Sequence, residues 1–287
     1  MARHLPDAEV VAVDSGSDDG GLDAVRRVAP AATAIDMGTN VGFGRACNAG
    51  VAAVGEPITV LINPDTELLD SSLAKLATEV MRRDRPERIL APVVVQPDGG
   101  REESAHFEPG SLADLVRALT PAAVLPDRAR RRVEPWLSDA PVRVGWAAGG
   151  CLVARTETLR RFGPFDEDAF MYAEDTDLGL RASDAGVATW FWPAGRVLHH
   201  RAHASERVFG GEPFDLLAER RREVVLRRRG RLRLAIDALL QLITFLNRIV
   251  LKALLRRPTV TERRRAAALL RAHRPARDPS QRRTRTS

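Results

Sequence analysis

Over the first hundred residues, short apolar runs alternate with polar clusters and with segments of helical period. Residues 9–13 (EVVAV) predict a strand that ends in the turn cluster DSGSDDGG at 14–21, and residues 22–28 predict a helix. A weak strand at Ala34 and Ile35 precedes the glycine-punctuated segment GTNVGFG at 38–44, and a helix of small residues follows over 45–54. Residues 58–62 (ITVLI) form an uninterrupted apolar strand ending at Asn63-Pro64-Asp65, and the spacing of Leu73, Leu76, Ala77 and Val80 predicts a helix over 71–83. Apolar strands separated by helices imply a largely parallel sheet covered on both faces, with functional groups in the loops at the strands' carboxyl ends. Asp14, Asn40 and the Asn63–Asp65 pair all fall at such ends.

The pattern then weakens. Residues 90–95 (LAPVVV) predict a strand and QPDGG at 96–100 a turn, whereas 109–135, rich in arginine and broken by proline, reads as an irregular or helical excursion without an assigned role. At 142–155 Gly145, Gly149 and Gly150 precede the apolar CLVA, a glycine density that suits backbone passing close to a ligand or another segment.

The chain has 287 residues, 44% hydrophobic and 29% charged, enough for one α/β domain with an appendage or two small domains. Cys47 and Cys151 have neither CxxC nor Cys/His spacing, so no disulfide framework or structural zinc is expected and a reducing cytoplasm fits. The N-terminus shows no apolar core before a cleavage site and no eighteen apolar residues run together, which disfavours secretion and membrane spanning. Charge divides the chain. Residues 1–200 carry 21 Lys and Arg against 30 Asp and Glu, a net of −9, and residues 201–287 carry 23 against 8, a net of +15. A basic tail on an acidic body points to an anionic phospholipid surface or a nucleic acid, unless the arginines reflect only the codon usage of a high-GC genome.

The densest chemistry lies between Phe162 and Arg181. Glu174, Asp175 and Asp177 open an apparent helix, where carboxylates cap free N–H groups and stabilise the dipole. The alternative is catalytic: a carboxylate buried beside Phe165, Phe170 and Tyr172 gains the proton affinity to accept a proton from a hydroxyl. Asp65, at a strand end, has the chemistry to hold Mg²⁺ or Mn²⁺ against a diphosphate.

Six segments occur in a fixed order: VVAVDSGSDDG (10–20), NVGFGRACNAG (40–50), LINPDTELL (61–69), GWAAGGCLVART (145–156), FGPFDEDAFMYAEDTDLGLRASDAG (162–186) and VLHHRAHAS (197–205). Together they resemble the inverting family 2 glycosyltransferases, and within them the rhamnosyltransferase-like branch of bacterial cell-wall and polysaccharide assembly. The resemblance implies a GT-A fold, with a mixed, mostly parallel sheet and flanking helices, a dTDP- or UDP-sugar donor, a divalent cation (Mg²⁺ or Mn²⁺) and inversion at the anomeric carbon. It implies a glycan or lipid-linked acceptor.

Carried over residue by residue, Asp14 matches the acid that contacts the nucleotide base, and Asn40, Gly42 and Asn48 match the loop and helix start lining the donor site. For Asn40 a turn-forming role is equally open. Asn63-Pro64-Asp65 corresponds to the family's DxD, with Asn in place of the first acid, which makes Asp65 the metal ligand. Asp175 aligns with the catalytic base and Glu174 with its companion. Trp146, Gly149 and Gly150 fall on the acceptor side, Trp146 equally readable as a core indole. Arg181 is expected to anchor the Asp175 helix by a salt bridge. His199 matches a late histidine that approaches the metal or diphosphate, with His200 its competitor and His203 a surface alternative. The implied reaction has Asp175 deprotonate the acceptor hydroxyl while metal at Asp65 and His199 neutralises the departing nucleoside diphosphate.

Family members ordinarily open with a further strand and helix before the first acid, so the reading expects a domain over 1–212 truncated at its N-terminus. A basic amphipathic helical region follows over 213–258, then an Arg-rich, partly disordered tail over 259–287. Residues 220–257 are suited to lying on an anionic membrane, to packing on the domain or to forming a homodimer; the first reading puts the protein in the cytoplasm, peripheral on the inner face of the plasma membrane. Two rivals remain. A catalytically dead relic would bind nucleotide-sugar or a partner without transfer, and a nucleic-acid binder would use the tail but leave Asp65 and Asp175 idle.

Overall fold

The computed structural model describes residues 3–121, 124–167, 171–200 and 212–274. Phe170, His203 and the final residues from 275 onward lie outside them. The strands are β1 Val11–Asp14, β2 Thr33–Asp36, β3 Ile58–Ile62, β4 Thr66–Leu68, β5 Arg88–Val95, β6 Ala105–His106, β7 Val142–Val144, β8 Trp146–Ala147, β9 Cys151–Arg155 and β10 Ala188–His199. The helices are α1 Gly21–Val28, α2 Phe43–Ala53, α3 Ser72–Met81, α4 Leu112–Leu119, α5 Asp127–Val133, α6 Thr156–Phe162, α7 Glu174–Asp184, α8 Phe214–Leu254 and α9 Val260–Ala272.

Six strands form the central sheet in the order β3-β9-β5-β10-β4, with β7 also on β10. Side chains alternate across it. Leu152 and Ala154 of β9 and Ile89 and Ala91 of β5 join Val51 of α2, Leu159 of α6 and Leu178 of α7 on one face. Cys151, Val153 and Leu90 point the other way, onto Leu73, Leu76 and Val80 of α3. Cys47 and Cys151 are free, Cys151 fully buried.

The expectation of a mostly parallel sheet is corrected. In the central sheet only β10–β5 runs parallel; β9 is antiparallel to both β3 and β5, and β10 is antiparallel to β4 and β7. Continuous apolar runs record burial on both faces, which inserting β9 between β3 and β5 achieves without parallel direction. The parallel pair β1–β2 forms its own two-stranded ladder, not hydrogen-bonded to β3.

Strand β10 breaks register between Phe191 and Arg196, around Pro193 and Gly195. A Cβ on Gly195 would lie 2.7 Å from Leu76 Cδ1, so glycine lets the strand pass under α3 without displacing that side chain. Beyond the bulge, Val197 to His199 pair with β4, which carries His199 to the chain leaving Asp65.

The excursion over 109–135 contains α4, closed by a Ser111/Asp114 capping box, and α5. Helix α8 is kinked at Gly230 (φ 78°), and α9 folds back on it through a Lys252–Glu262 pair 2.6 Å apart. Val260–Ala272 is thus ordered helix within the tail expected to be partly disordered, because Ala266, Ala268 and Leu269 bury against neighbouring helices. By length and composition α8 is apolar enough to cross a membrane, although no run of eighteen apolar residues occurs in the chain.

Candidate active site

The carboxyl ends of β1 and β2 meet at the first loop pair. Asp14 accepts the Ser17 N–H at 3.1 Å, Ser15 Oγ accepts the Val41 N–H at 3.0 Å, and Asn40 Oδ1 accepts the Gly42 N–H at 3.1 Å. Asp14, Asn40 and Gly42 therefore share one rim, with Asn40 also serving its own turn. The Asn48 amide clamps another loop: it donates to the Phe165 carbonyl at 2.9 Å and accepts the Phe165 N–H at 3.0 Å.

Asn63 and Gly150 are tied through their backbones, the Asn63 N–H donating to the Gly150 carbonyl at 3.0 Å. Gly149, one residue earlier, donates its N–H to the carboxylate of Asp175. The 145–150 loop therefore bridges the Asn63–Asp65 strand end and the start of α7, bringing the proposed metal and base positions to either side of one glycine turn. Helix α7 is reached through two consecutive residues in the left-handed region, Tyr172 at φ 70° and Ala173 at φ 62°. Such a lead-in costs of order 1–3 kcal/mol per residue and marks a segment held by its surroundings.

Burial pushes the Asp175 carboxyl above the ordinary range, tempered by N–H donors from Thr176 (2.6 Å) and Gly149. Burial and the neighbouring Asp175 push Glu174 up to about 7. The Oε2 of Glu174 is sealed from solvent without a hydrogen-bond partner. The pair consequently holds one proton more readily than two isolated acids would, and Asp175 gains basicity. Asp177 serves a different purpose. Burial opposes its charge, but hydrogen bonds from Arg228 and Arg181 outweigh this and hold its carboxyl below the usual range. The Arg181 salt bridge, expected to anchor α7, is internal to the helix, reaching Asp177 one turn away at 2.7 Å; the anchoring comes instead from Arg181 donating to the Phe162 and Pro164 carbonyls.

His199 Nε2 lies 3.2 Å from Asp65 Oδ2, and its Nδ1 lies 2.9 Å from Glu102 Oε2. His200 turns instead to exposed Glu67 at 2.8 Å. The Glu102 hydrogen bond, opposed by burial and aided by both carboxylates' charge, raises the His199 pKa. Cis ligands of an octahedral cation, each about 2.1 Å away, stand about 3 Å apart. Asp65 and His199 have that separation, and Glu102 supplies the orienting carboxylate that metal-bound histidines carry on their other nitrogen. The donor set thus fits a divalent cation. A divalent cation held by Asp65 and His199 would complete its shell with water and donor phosphate, as Mg²⁺ commonly does.

Trp146 stacks on His106 with ring centroids 4.1 Å apart, and its Nε1 is buried without an acceptor. Burial and the nearby Arg117 and Arg221 charges depress His106 to about 3, so the ring is neutral. A cavity of about 240 Å³ lies beside both rings, closed on its far side by α8 and α9.

Sequence reasoning missed Glu102 and the arginines of α8. Arg221 pairs with Asp237, Arg227 with Asp166 and Asp177, Arg228 with Asp177, and Arg229 with Glu108 and Asp184. Three arginines of the basic tail, Arg227, Arg228 and Arg229, therefore meet acids in the body of their own chain. The division of charge at residue 200 was the available signal; for Glu102 it was the QPDGG turn, which returns the chain to β5 two residues before the acid.

The family model described as "Glycosyl transferase family 2" matches residues 2–134. An N-acetylglucosaminyl-diphospho-decaprenol L-rhamnosyltransferase of Mycobacterium tuberculosis is 32% identical over 223 residues, 72% of this chain and 71% of that protein. Rhamnosyltransferase WbbL of Escherichia coli K12 is 41% identical over 71 residues, 25% of this chain and 26% of that one. The fold is similar to that of the mannosyltransferase PcManGT from Pyrobaculum calidifontis, solved with GDP-Man and Mn²⁺ (TM-score 0.50, 18% identity, 92% of this chain and 76% of that chain). It is also similar to GalNAc-T7 solved with UDP, GalNAc and Mn²⁺ (TM-score 0.51, 15% identity), where the match takes in 76% of this chain but 42% of that one. The chain belongs to the family 2 glycosyltransferases, as a GT-A enzyme of the rhamnosyltransferase-like kind.

Proposed function

We infer that this chain transfers a rhamnosyl group, with inversion, from a dTDP- or UDP-activated donor to a sugar carried on a lipid diphosphate. The observation that carries the reading is the glycine turn at 145–150, with the buried acid pair on one side and the Asp65–His199–Glu102 relay on the other. The activity for which the M. tuberculosis relative is named supplies the sugar and the acceptor class.

Asp175 receives the proton of the attacking hydroxyl. The N–H groups of Gly149 and Thr176 hold its carboxylate in place, and Glu174, with its raised proton affinity, keeps a second negative charge out of the pocket near neutral pH. Trp146 offers a ring face to the acceptor sugar. Asp65 and His199 would hold a divalent cation, which supplies neutralising charge to the departing nucleoside diphosphate. Glu102 orients the His199 ring so that Nε2 faces Asp65. Exposed leucines and valines on α4 and α8 support a peripheral place on an anionic membrane, where a lipid-linked acceptor resides.

The test is transfer from dTDP- and UDP-rhamnose to a GlcNAc-diphosphoryl lipid with Mg²⁺ or Mn²⁺. Product formation that disappears in Asp175→Asn, with nucleotide binding retained, supports the reading; full turnover in that variant refutes the base assignment.

A further inference from the structure

The cavity beside Trp146 does not end at the active-site loop. Between α4 and α8 a much smaller hollow of about 10 Å³, lined by Arg117, Pro121, Thr244, Asn247 and Arg248, adjoins it, and three of these residues line both spaces. The two helices are stitched on either side of it, by Asn247 donating to the Ala118 carbonyl (2.5 Å) and Arg233 donating to the Gly110 carbonyl (2.7 Å).

Its charges are unevenly committed. Of the acids lining the wider cavity, Asp237 is held by Arg221, Glu212 by Arg265, and Asp114 caps α4, while Glu103 lies exposed. Arg117 keeps only a loose 3.9 Å contact with Asp114 and lies over the Trp136 ring. Arg248 has no carboxylate within ion-pair distance among the described residues. The smaller hollow therefore presents two guanidiniums and no acid. Beside it the surface turns apolar: Leu119 is 66% exposed, Val124 60%, Leu246 49% and Val250 57%.

Trp146, Arg117 and Arg248 line one cavity of about 240 Å³, and exposed apolar side chains flank the arginines on α4 and α8. We propose that Arg117 and Arg248 bind the diphosphate of a lipid-linked acceptor, with its sugar on Trp146 toward Asp175 and its isoprenoid chain leaving over Leu119 and Val250. Guanidiniums suit this ligand because they bind phosphate oxygens bidentately. The assignment rests on the functional reading above, and it gives the excursion over 109–135 a purpose: α4 forms one wall of an acceptor site whose other wall is α8.

Direct binding tests it without turnover. Geranyl diphosphate, inorganic pyrophosphate and dTDP are titrated calorimetrically into the full chain and into Arg248→Gln, which gives up no ion pair. The expected result is geranyl diphosphate binding weakened at least tenfold in the variant, with dTDP affinity unchanged. Leu119→Asp with Val250→Asp is expected to weaken geranyl diphosphate but not pyrophosphate. Unchanged geranyl diphosphate affinity in Arg248→Gln overturns the proposal, and so does equal affinity of wild type for pyrophosphate, which would mark a free-phosphate site. Failure of the functional reading looks different: wild type would bind geranyl diphosphate between α4 and α8 yet transfer no sugar to the GlcNAc-diphosphoryl lipid.

Discussion

Glu174 is the most informative single group to perturb, because the fold makes it hold a proton that the unfolded chain would release. Its ordinary value of 4.5 is pushed to about 7 by burial and then by Asp175. At about 1.4 kcal/mol per tenfold change in proton affinity, that difference is worth about 3 kcal/mol. A folded pKa above the unfolded one stabilises fully below pH 4.5, and the contribution is lost as pH rises through 7. Glu174→Gln keeps the shape and cannot ionise. Urea unfolding of both proteins at intervals from pH 4.5 to 8 should therefore show wild type losing about 3 kcal/mol more than the variant across that range. The Asp175 contribution, raised by burial in both proteins, moves in the same direction. Superimposed pH dependences would mean that the Glu174 side chain is solvated or paired in solution, and the argument for a proton-holding acid pair would fall with it.

Asp175→Asn should lower turnover by about 10²–10⁴-fold while nucleotide affinity holds, the size of a lost general base; steady-state kinetics alongside dTDP titration reads both. Glu102→Gln should weaken Mn²⁺ dependence of donor binding by about 10–100-fold, as for other carboxylates behind a metal-bound histidine; an unchanged metal titration would remove Glu102 from that role. Asp177 is fully buried under Arg181, Arg227 and Arg228, so Asp177→Asn should cost about 3–5 kcal/mol and expose α8 to limited proteolysis. A Cβ on Gly179 would lie 2.5 Å from both the Gly145 carbonyl oxygen and Trp146 Cβ. Gly179→Ala should accordingly push β8 from α7, costing about 1–3 kcal/mol and raising the acceptor KM more than the donor KM.

Much of the site was legible because each part is local. Asp14, Asn40 and Asp65 stand where an apolar run stops and a turn begins, which backbone sterics and burial force into the sequence itself. Glu174 and Asp175 open a helix, and there spacing alone favoured capping over catalysis. The third acid shows why. Asp177, one turn into the same cluster, is an anchor for arginines about fifty residues away, whereas its neighbours are sealed beneath the glycine loop. Residue type and spacing are alike for the three; their surroundings are not.

By itself the sequence determined the family, the strand ends that carry the acids, and the opposition of an acidic body to a basic tail, since motif, period and charge are properties of contiguous residues. The tertiary structure alone decided strand direction around β9, the turning of His200 to Glu67, the Glu102 contact and the packing of α4 against α8. The physical reason is register. A bulge at Pro193–Gly195 sets which histidine meets Asp65, and a kink at Gly230 sets which face of α8 meets the domain. Neither offset can be read from the segments it joins, because each is fixed only when distant surfaces close on one another.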